Sequence, residues 1–150
     1  MYLDSCYIVK FYLQEPDSSA VRALVRERRG GYSSAWALGE FHAVLHRQIR
    51  EGRISRGVAR EYSLKFSDQI ESGFWKLAPV TGPLLRRTGA LLLSAPPDLF
   101  LRAGDAVHLE TASELGLAEV WSSDKHFLAA ASYFGLKGRS VSPGPTQEPA

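Results

Sequence analysis

Short apolar segments alternate with longer segments of helical periodicity along this chain, and that alternation limits the folds available to it. The segments typical of strands are Met1–Leu3, Phe74–Val80, Ala118–Ser122 and Gly138–Val141, with Tyr32–Ser34 as either a short strand or a helix cap. Strands that alternate with helices usually pair in parallel through right-handed crossovers. We therefore predict a three-layer α/β/α domain around a central, mainly parallel sheet of about five short strands.

The segments between these strands have apolar residues three and four positions apart, and most of them end at Gly or Pro. They predict helices over Tyr7–Tyr12, Leu84–Leu93, Asp105–Leu115 and His126–Phe134, and three more that end at Gly30, Gly52 and Gly73. In the helix that ends at Gly52, the predicted buried stripe consists of Leu38, Phe41, Leu45 and Ile49. Glu40 lies about 200° around the axis from Leu38 and borders that stripe.

Composition indicates one folded domain. The chain has 150 residues, of which 45% are hydrophobic, and this apolar content excludes a disordered regulator. We predict that the domain spans 1–141 and that the Pro-rich segment 142–150 is a disordered tail. The chain opens on Met1-Tyr2-Leu3-Asp4 without a secretory signal, has no apolar stretch near the roughly 18 residues of a membrane helix, and has only Cys6 for a disulfide. These features predict a cytoplasmic protein that does not enter a membrane.

Basic residues are concentrated in one part of the chain, although the net charge is only +2. Between Arg22 and Arg60 there are nine arginines and three acids, a local balance of +6. Guanidinium groups pair bidentately with phosphate, so such a cluster indicates a phosphate-bearing partner. A solvated set of helix faces is the alternative.

Four acidic residues occupy positions where a carboxylate needs a partner. Asp4 and Asp124 each follow a predicted strand, Asp105 lies on the inward face of its helix, and Glu40 borders a buried stripe. Each of three acids also has an ordinary structural explanation when it is considered alone. Asp105 is consistent with a helix-capping acid, Asp124 is consistent with a turn residue, and Glu40 is consistent with a surface glutamate. The carboxyl ends of parallel strands meet at one edge, where four carboxylates would repel one another without a cation among them.

The donor types narrow the choice of cation. Ligation by oxygen alone suits Mg²⁺ or Mn²⁺ rather than zinc, and bound magnesium can activate water against a phosphoryl group. His42 and His46 lie four positions apart, as the ligands of zinc proteases do. Those enzymes require Glu after the first His, and Ala43 stands there, so this alternative is set aside.

Four ordered blocks of sequence give the chain a family resemblance. Met1–Pro16, Ser33–Glu40, Leu101–Leu109 and Trp121–Phe127 together resemble a PIN domain, and more narrowly the VapC-type toxins of bacterial and archaeal toxin–antitoxin pairs. The resemblance implies a metal-dependent endoribonuclease with catalytic and metal-binding acids at Asp4, Glu40, Asp105 and Asp124 and a Mg²⁺ or Mn²⁺ cofactor. Ser5 and Ser122 match hydroxyl positions that support the acids. Gly104 stands where a bulkier residue is expected.

The resemblance also implies partners. These are an RNA substrate, a cognate antitoxin that neutralises the enzyme, and a second copy of the chain in a homodimer. Arg47, Arg50 and Arg53 follow Glu40 on the same helix and its exit, so we predict that they bind RNA. Two alternatives remain open: a PIN-type nuclease that processes RNA without being a toxin, and a non-catalytic scaffold that binds nucleic acid or protein.

Overall fold

A computed structural model describes residues 1–141, in which five strands alternate with seven α-helices and one 3₁₀-helix. The strands are β1 (Tyr2–Leu3), β2 (Gly31–Ser34), β3 (Trp75–Ala78), β4 (Glu119–Trp121) and β5 (Lys137–Arg139). The helices are α1 (Ser5–Tyr12), α2 (Ser18–Glu27), α3 (Trp36–Arg50), α4 (Arg56–Glu71), α5 (Gly82–Ser94), α6 (Ala103–Glu114) and α7 (Lys125–Ala130), and the 3₁₀-helix covers Ala131–Phe134. The predicted tail, 142–150, lies outside the described residues, so the domain boundary at 141 stays a prediction. Across 1–141, no helix has both the length and the apolar character needed to cross a bilayer.

The five strands form one parallel sheet in the order β3-β2-β1-β4-β5. Helices cover both faces, which confirms the predicted three-layer α/β/α domain. The chain first adds strands on one side of β1 and then on the other, so the strand order reverses between β1 and β4. In open parallel sheets, ligands bind in the crevice beyond the carboxyl ends of the strands at such a reversal. Asp4 follows β1, and Asp124 follows β4, at this crevice.

Each face of the sheet has its own core. Leu3 packs in the core beneath α1 to α4, which contains the aromatic rings of Tyr7, Phe41, Phe66 and Trp75. Tyr2 packs in the core beneath α6 and α7, together with Leu109, Val120 and Phe127. Adjacent residues of a strand point to opposite faces, so β1 is buried on both sides. This double burial accounts for its uninterrupted apolar sequence.

Local chemistry fixes where elements begin and end. The Ser55 side chain accepts a hydrogen bond from the Val58 N–H at 3.1 Å and thereby caps α4. Gly30 follows α2 with a φ of +100°, and a Cβ at this position would lie 1.8 Å from the carbonyl oxygen of Phe74. Only glycine therefore allows the chain to turn from α2 into β2 this close to β3.

The predicted buried stripe of α3 is wrong at Leu38, which is 39% exposed. The buried residue is its neighbour Ala37, in line with Phe41 and Leu45. The Phe41 ring lies 4.6 Å from the ring of Phe66 on α4, and this contact sets which face of α3 turns inward. Phe41 and Leu45 are buried as predicted and Ile49 is partly buried, so the prediction and the structure differ at the start of the stripe.

The last predicted helix, His126–Phe134, is divided in the structure. It forms α7 followed by the 3₁₀-helix, and Gly135 ends the latter with a φ of +71°. Tighter 3₁₀ turns are frequent at the ends of α-helices, so periodicity alone did not distinguish the two segments.

Candidate active site

A cleft of about 590 Å³ opens at the carboxyl edge of the sheet. All four predicted acids line it, and each comes from a different element. Asp4 follows β1, Glu40 belongs to α3, Asp105 lies in the first turn of α6, and Asp124 caps α7. The fold therefore brings together carboxylates that are up to 120 positions apart in the chain.

Only some of the other predicted site residues lie at this cleft. Ser5 and Arg47 line it, and Ser122 is fully buried next to Asp4. Arg50 and Arg53 are exposed but do not line the cleft, and Arg53 is paired with Glu51 at 3.2 Å. Of the three predicted RNA-binding arginines, only Arg47 reaches the site.

Asp4 is held by two serine hydroxyls. Ser122 Oγ donates to Asp4 Oδ2 at 2.8 Å, and Ser5 Oγ donates to Asp4 Oδ1 at 3.4 Å. Ser122 Oγ also accepts a hydrogen bond from the backbone N–H of Asp124 at 2.9 Å. A single buried hydroxyl thus links the acids that follow β1 and β4.

Glu40 is held by a buried histidine. His108 Nε2 lies 2.7 Å from Glu40 Oε2, and because an ionised carboxylate only accepts, Nε2 is the donor. On the other side of the ring, His108 Nδ1 is hydrogen-bonded to the hydroxyl of Tyr2 at 2.8 Å. Burial lowers the pKa of His108, but the hydrogen bond to Glu40 and the charges of Asp4 and Glu40 outweigh it, so the pKa is raised.

Asp105 and Asp124 share one arginine. Arg102 Nε donates to Asp105 Oδ2 at 2.7 Å, and its guanidinium also bonds Asp124. Arg102 is exposed, whereas the two carboxylates are mostly shielded from solvent. Asp124 Oδ1 additionally accepts from the backbone N–H of His126 at 2.8 Å, the usual bond of a helix cap.

The two carboxylates that share Arg102 have pKa values shifted in opposite directions. Burial raises the pKa of Asp105 above its ordinary value and outweighs the bonds from Arg102, and the charges of Asp4 and Asp124 add to the rise. Burial also acts on Asp124, but the N–H of His126 and the guanidinium of Arg102 prevail and lower its pKa. Carrying a negative charge in this site is therefore less favourable for Asp105 than for Asp124.

Gly104 has a steric role at this site. A Cβ at this position would lie 3.3 Å from Glu40 Oε1 and 3.3 Å from Nε1 of Trp36. Distances this short would displace the Glu40 carboxylate or the Trp36 indole. The sequence shows a glycine where a larger residue is expected, and the structure shows that its small size lets α3 approach the start of α6.

The donor chemistry of the cleft fits a hard divalent cation, because four carboxylates supply oxygen ligands. Within residues 1–141, no three Asp, Glu, His or Cys side chains already converge as a ready ligand set. Two of the acids are bridged by Arg102, and a third is bonded to His108. The residues therefore have the right types for Mg²⁺ or Mn²⁺. The single positive charge of Arg102 offsets one of the two negative charges of Asp105 and Asp124, which form the outer pair of the site.

Sequence reasoning missed the roles of Arg102 and His108. Arg102 stands three positions before Asp105, and His108 three positions after it, so all three share one side of α6 and its start. This spacing is a feature of the sequence from which Arg102 and His108 could have been identified as neighbours of Asp105. Nothing in the sequence pairs His108 with Glu40, which is 68 positions away.

The chain is similar to known proteins over most of its length. Residues 1–132 match the family model of the PIN domain. Ribonuclease VapC46 of Mycobacterium tuberculosis is 33% identical over 138 residues, which cover 91% of this chain and 93% of that protein. The crystal structure of VapC20 from the same organism, a toxin that cleaves the sarcin–ricin loop, superposes with a TM-score of 0.70 over 86% of this chain and 93% of that one. Its sequence is 17% identical, so this match supports the fold alone.

Proposed function

The chain belongs to the PIN domain family, and from this premise we propose that it is a VapC-type endoribonuclease toxin neutralised by a cognate antitoxin. The observation that carries the proposal is the convergence of Asp4, Glu40, Asp105 and Asp124 from four elements on one cleft. The similarity to a VapC ribonuclease over nearly the whole of both chains supports the activity. Because RNA is the substrate, the proposed place of action is the cytoplasm.

The proposed cofactor is Mg²⁺ or Mn²⁺, held by the four carboxylates. When bound, such an ion activates a water and stabilises negative charge on a phosphoryl oxygen. The chain's own groups orient the ligands: Ser122 holds Oδ2 of Asp4, and His108 holds Oε2 of Glu40. Since His108 engages Oε2, Oε1 is the Glu40 oxygen left to accept a proton or a ligand bond.

Basic side chains at the cleft are proposed to bind the RNA backbone. Arg47 lines the cleft from α3, and the exposed guanidinium of Arg102 stands at the outer acids. Guanidinium groups donate two parallel hydrogen bonds to a phosphate, so both residues can hold the strand next to the carboxylates. Arg50 and Arg53 lie farther along the same side of the molecule and are assigned only a long-range electrostatic role.

The proposed protein partners are an antitoxin and a second copy of the chain. Clustered carboxylates form a receptor for a cationic side chain, and an antitoxin that inserts Arg or Lys there would block the site. Val58 and Leu64 are exposed on α4 and offer an apolar face for a homodimer. Size-exclusion chromatography with light scattering would test the dimer.

The decisive experiment measures RNA cleavage with Mn²⁺, with Mg²⁺ and with excess EDTA. We expect cleavage with either ion, none with EDTA, and a loss of more than about 100-fold in Asp4→Asn, because an acid at the reacting centre costs more than the 10- to 100-fold typical of supporting groups. Asp68→Asn, an exposed aspartate on α4 outside the cleft, is the matched control. Cleavage by Asp4→Asn at the control rate would exclude this cleft as the nuclease site.

A growth assay separates a toxin from an RNA-processing nuclease. Expression of the wild-type chain alone is expected to arrest growth, and co-expression with the antitoxin encoded beside it is expected to restore growth. Asp4→Asn should not arrest growth. RNA cleavage without growth arrest would favour the processing nuclease, and equal growth arrest by Asp4→Asn would refute the toxin-nuclease assignment.

A further inference from the structure

The rim of the cleft carries an aromatic pair that the proposed chemistry does not use. The rings of Phe100 and His126 lie with centroids 4.4 Å apart and planes inclined at 44°. Phe100 is 54% exposed, and the guanidinium carbon of Arg102 lies 5.9 Å from the centre of its ring. An exposed aromatic surface with a cation against it therefore borders the acidic site.

The short segments that carry these two rings also form hydrogen bonds to the carboxylates of Asp105 and Asp124. His126 lies in the first turn of α7, and its backbone N–H donates to Asp124. Phe100 precedes α6 by a short connection, and Arg102 in that connection bonds both Asp105 and Asp124. The same short segments that position two of the acids thus also position the rings.

A second aromatic side chain is exposed at the cleft. Trp36, at the start of α3, lines the cleft and is 44% exposed. Other exposed apolar side chains, such as Leu64 and Leu93, stand outside the cleft lining. Single exposed apolar residues are normal on a protein surface, but exposed aromatic rings beside a charged cleft suit a ligand with both phosphate and planar apolar parts.

We propose that the Phe100–His126 pair is a stacking platform for an unpaired nucleobase next to the scissile phosphate. The inference rests on the proposed ribonuclease function and adds to it the side chains that hold one base of the RNA beside the cleaved bond. Unpaired bases stack readily on aromatic side chains and on Arg, whereas bases in an A-form helix are already stacked on their neighbours. With the phosphate at the carboxylates, the adjacent base is the part of the substrate that can reach the rim.

The test measures binding without cleavage, in the Asp4→Asn background. The probe is a short single-stranded oligoribonucleotide with 2-aminopurine at one internal position, and a fully paired duplex of the same sequence is the comparison. Phe100→Ala should weaken binding of the single strand by about 5- to 150-fold, because stacking of one base is of that size. It should also relieve the quenching of 2-aminopurine at one or two positions and leave the duplex affinity unchanged.

Two further variants make the result specific to the ring. Leu85→Ala removes an apolar side chain of similar exposure on α5, away from the cleft, and should leave both RNA affinities unchanged. Phe100→Trp keeps an aromatic face and should restore binding, whereas Phe100→Leu keeps apolar volume and should not.

Specific outcomes would overturn the inference. If Phe100→Ala binds the single strand as tightly as Leu85→Ala does, or if Phe100→Leu restores binding, no stacking platform exists. Should Phe100→Ala instead lose only its binding to the antitoxin, the rings belong to a protein interface. These failures are distinct from a failure of the proposed function, in which the wild-type chain itself would cut no RNA.

Discussion

The four carboxylates of the cleft fall into two pairs with different support. The inner pair, Asp4 and Glu40, is hydrogen-bonded to Ser122 and His108, which are 0% and 1% exposed. The outer pair, Asp105 and Asp124, shares the exposed side chain of Arg102. Buried partners cannot leave without unpairing their own polar atoms, whereas exposed ion pairs contribute little and exchange readily. The comparison indicates that the inner carboxylates are held in place by their buried partners, whereas the outer carboxylates can exchange Arg102 for another cation.

The largest expected effect on stability follows from removing a buried partner of the inner pair. His108→Ala leaves the hydroxyl of Tyr2 without this bond and Glu40 without its donor, and it opens a cavity. We expect the free energy of unfolding to fall by about 2–4 kcal/mol, measured by urea denaturation. Cleavage should fall about 10- to 100-fold, because Glu40 loses its orientation.

A conservative variant is the control for this effect. His108→Gln retains a side-chain N–H that can reach Glu40, so it should recover part of both the stability and the activity. If His108→Ala were as stable as the wild type, the inner pair would not be fixed by buried bonds, and the comparison would fail.

Removing Arg102, the partner of the outer pair, should have little effect on stability and should strengthen metal binding. Arg102→Gln is expected to change the free energy of unfolding by less than about 1 kcal/mol, because the arginine is exposed. Affinity for Mn²⁺, measured by isothermal titration calorimetry, should rise, because the competing positive charge between Asp105 and Asp124 is gone. Arg60→Gln, an exposed arginine outside the cleft lining, is the matched control. Weaker Mn²⁺ binding by Arg102→Gln would show that Arg102 supports the cation rather than competing with it.

Within the outer pair, the two acids should differ in their pH dependence. The pKa of Asp105 is raised in the folded protein, so its charge destabilises the fold at neutral pH, and this penalty disappears as the pH falls to the unfolded value near 3.9. The pKa of Asp124 is lowered, so its charge stabilises the fold above about 3.9, and this contribution is lost as the pH falls through the folded pKa.

Two substitutions test these signs in chelator-containing buffer. At pH 7, Asp105→Asn should raise the free energy of unfolding and Asp124→Asn should lower it. Both differences should shrink toward pH 4 and below, which thermal unfolding across pH would detect. Equal signs for the two variants would mean that Arg102, rather than burial, governs both carboxylates.

The sequence predicted the fold and the four acids for a common reason. Strand and helix periodicities are local, and in a parallel sheet they place the residues after β1 and β4 at one edge, so Asp4 and Asp124 could be paired before any coordinates. The partners of these acids were not predictable in the same way. The bond from His108 to Glu40 depends on how closely α3 and α6 approach, and that distance depends on the absence of a side chain at Gly104.

Arg47 and Arg53 illustrate the same limit for surface charge. Both belong to the basic region that the sequence identified, but only Arg47 lines the cleft. Arg53 pairs with Glu51 after the end of α3. Charge density along the chain therefore identified the basic region, while the position of each arginine relative to the acids depends on how α3 packs against its neighbouring helices.

The smallest expected effect separates these two arginines in RNA binding. Arg47→Gln should reduce the magnitude of the slope of log affinity against log salt by about 0.7, the value for one phosphate contact on a single strand. Arg53→Gln and Arg50→Gln should change the slope less, because these side chains do not line the cleft and act on RNA only at long range. The measurement is RNA affinity at several salt concentrations in the Asp4→Asn background, where no cleavage interferes. Equal slope changes for Arg47→Gln and Arg53→Gln would instead place the RNA path along the whole of α3 and its exit, with Arg53 in contact with phosphate as Arg47 is.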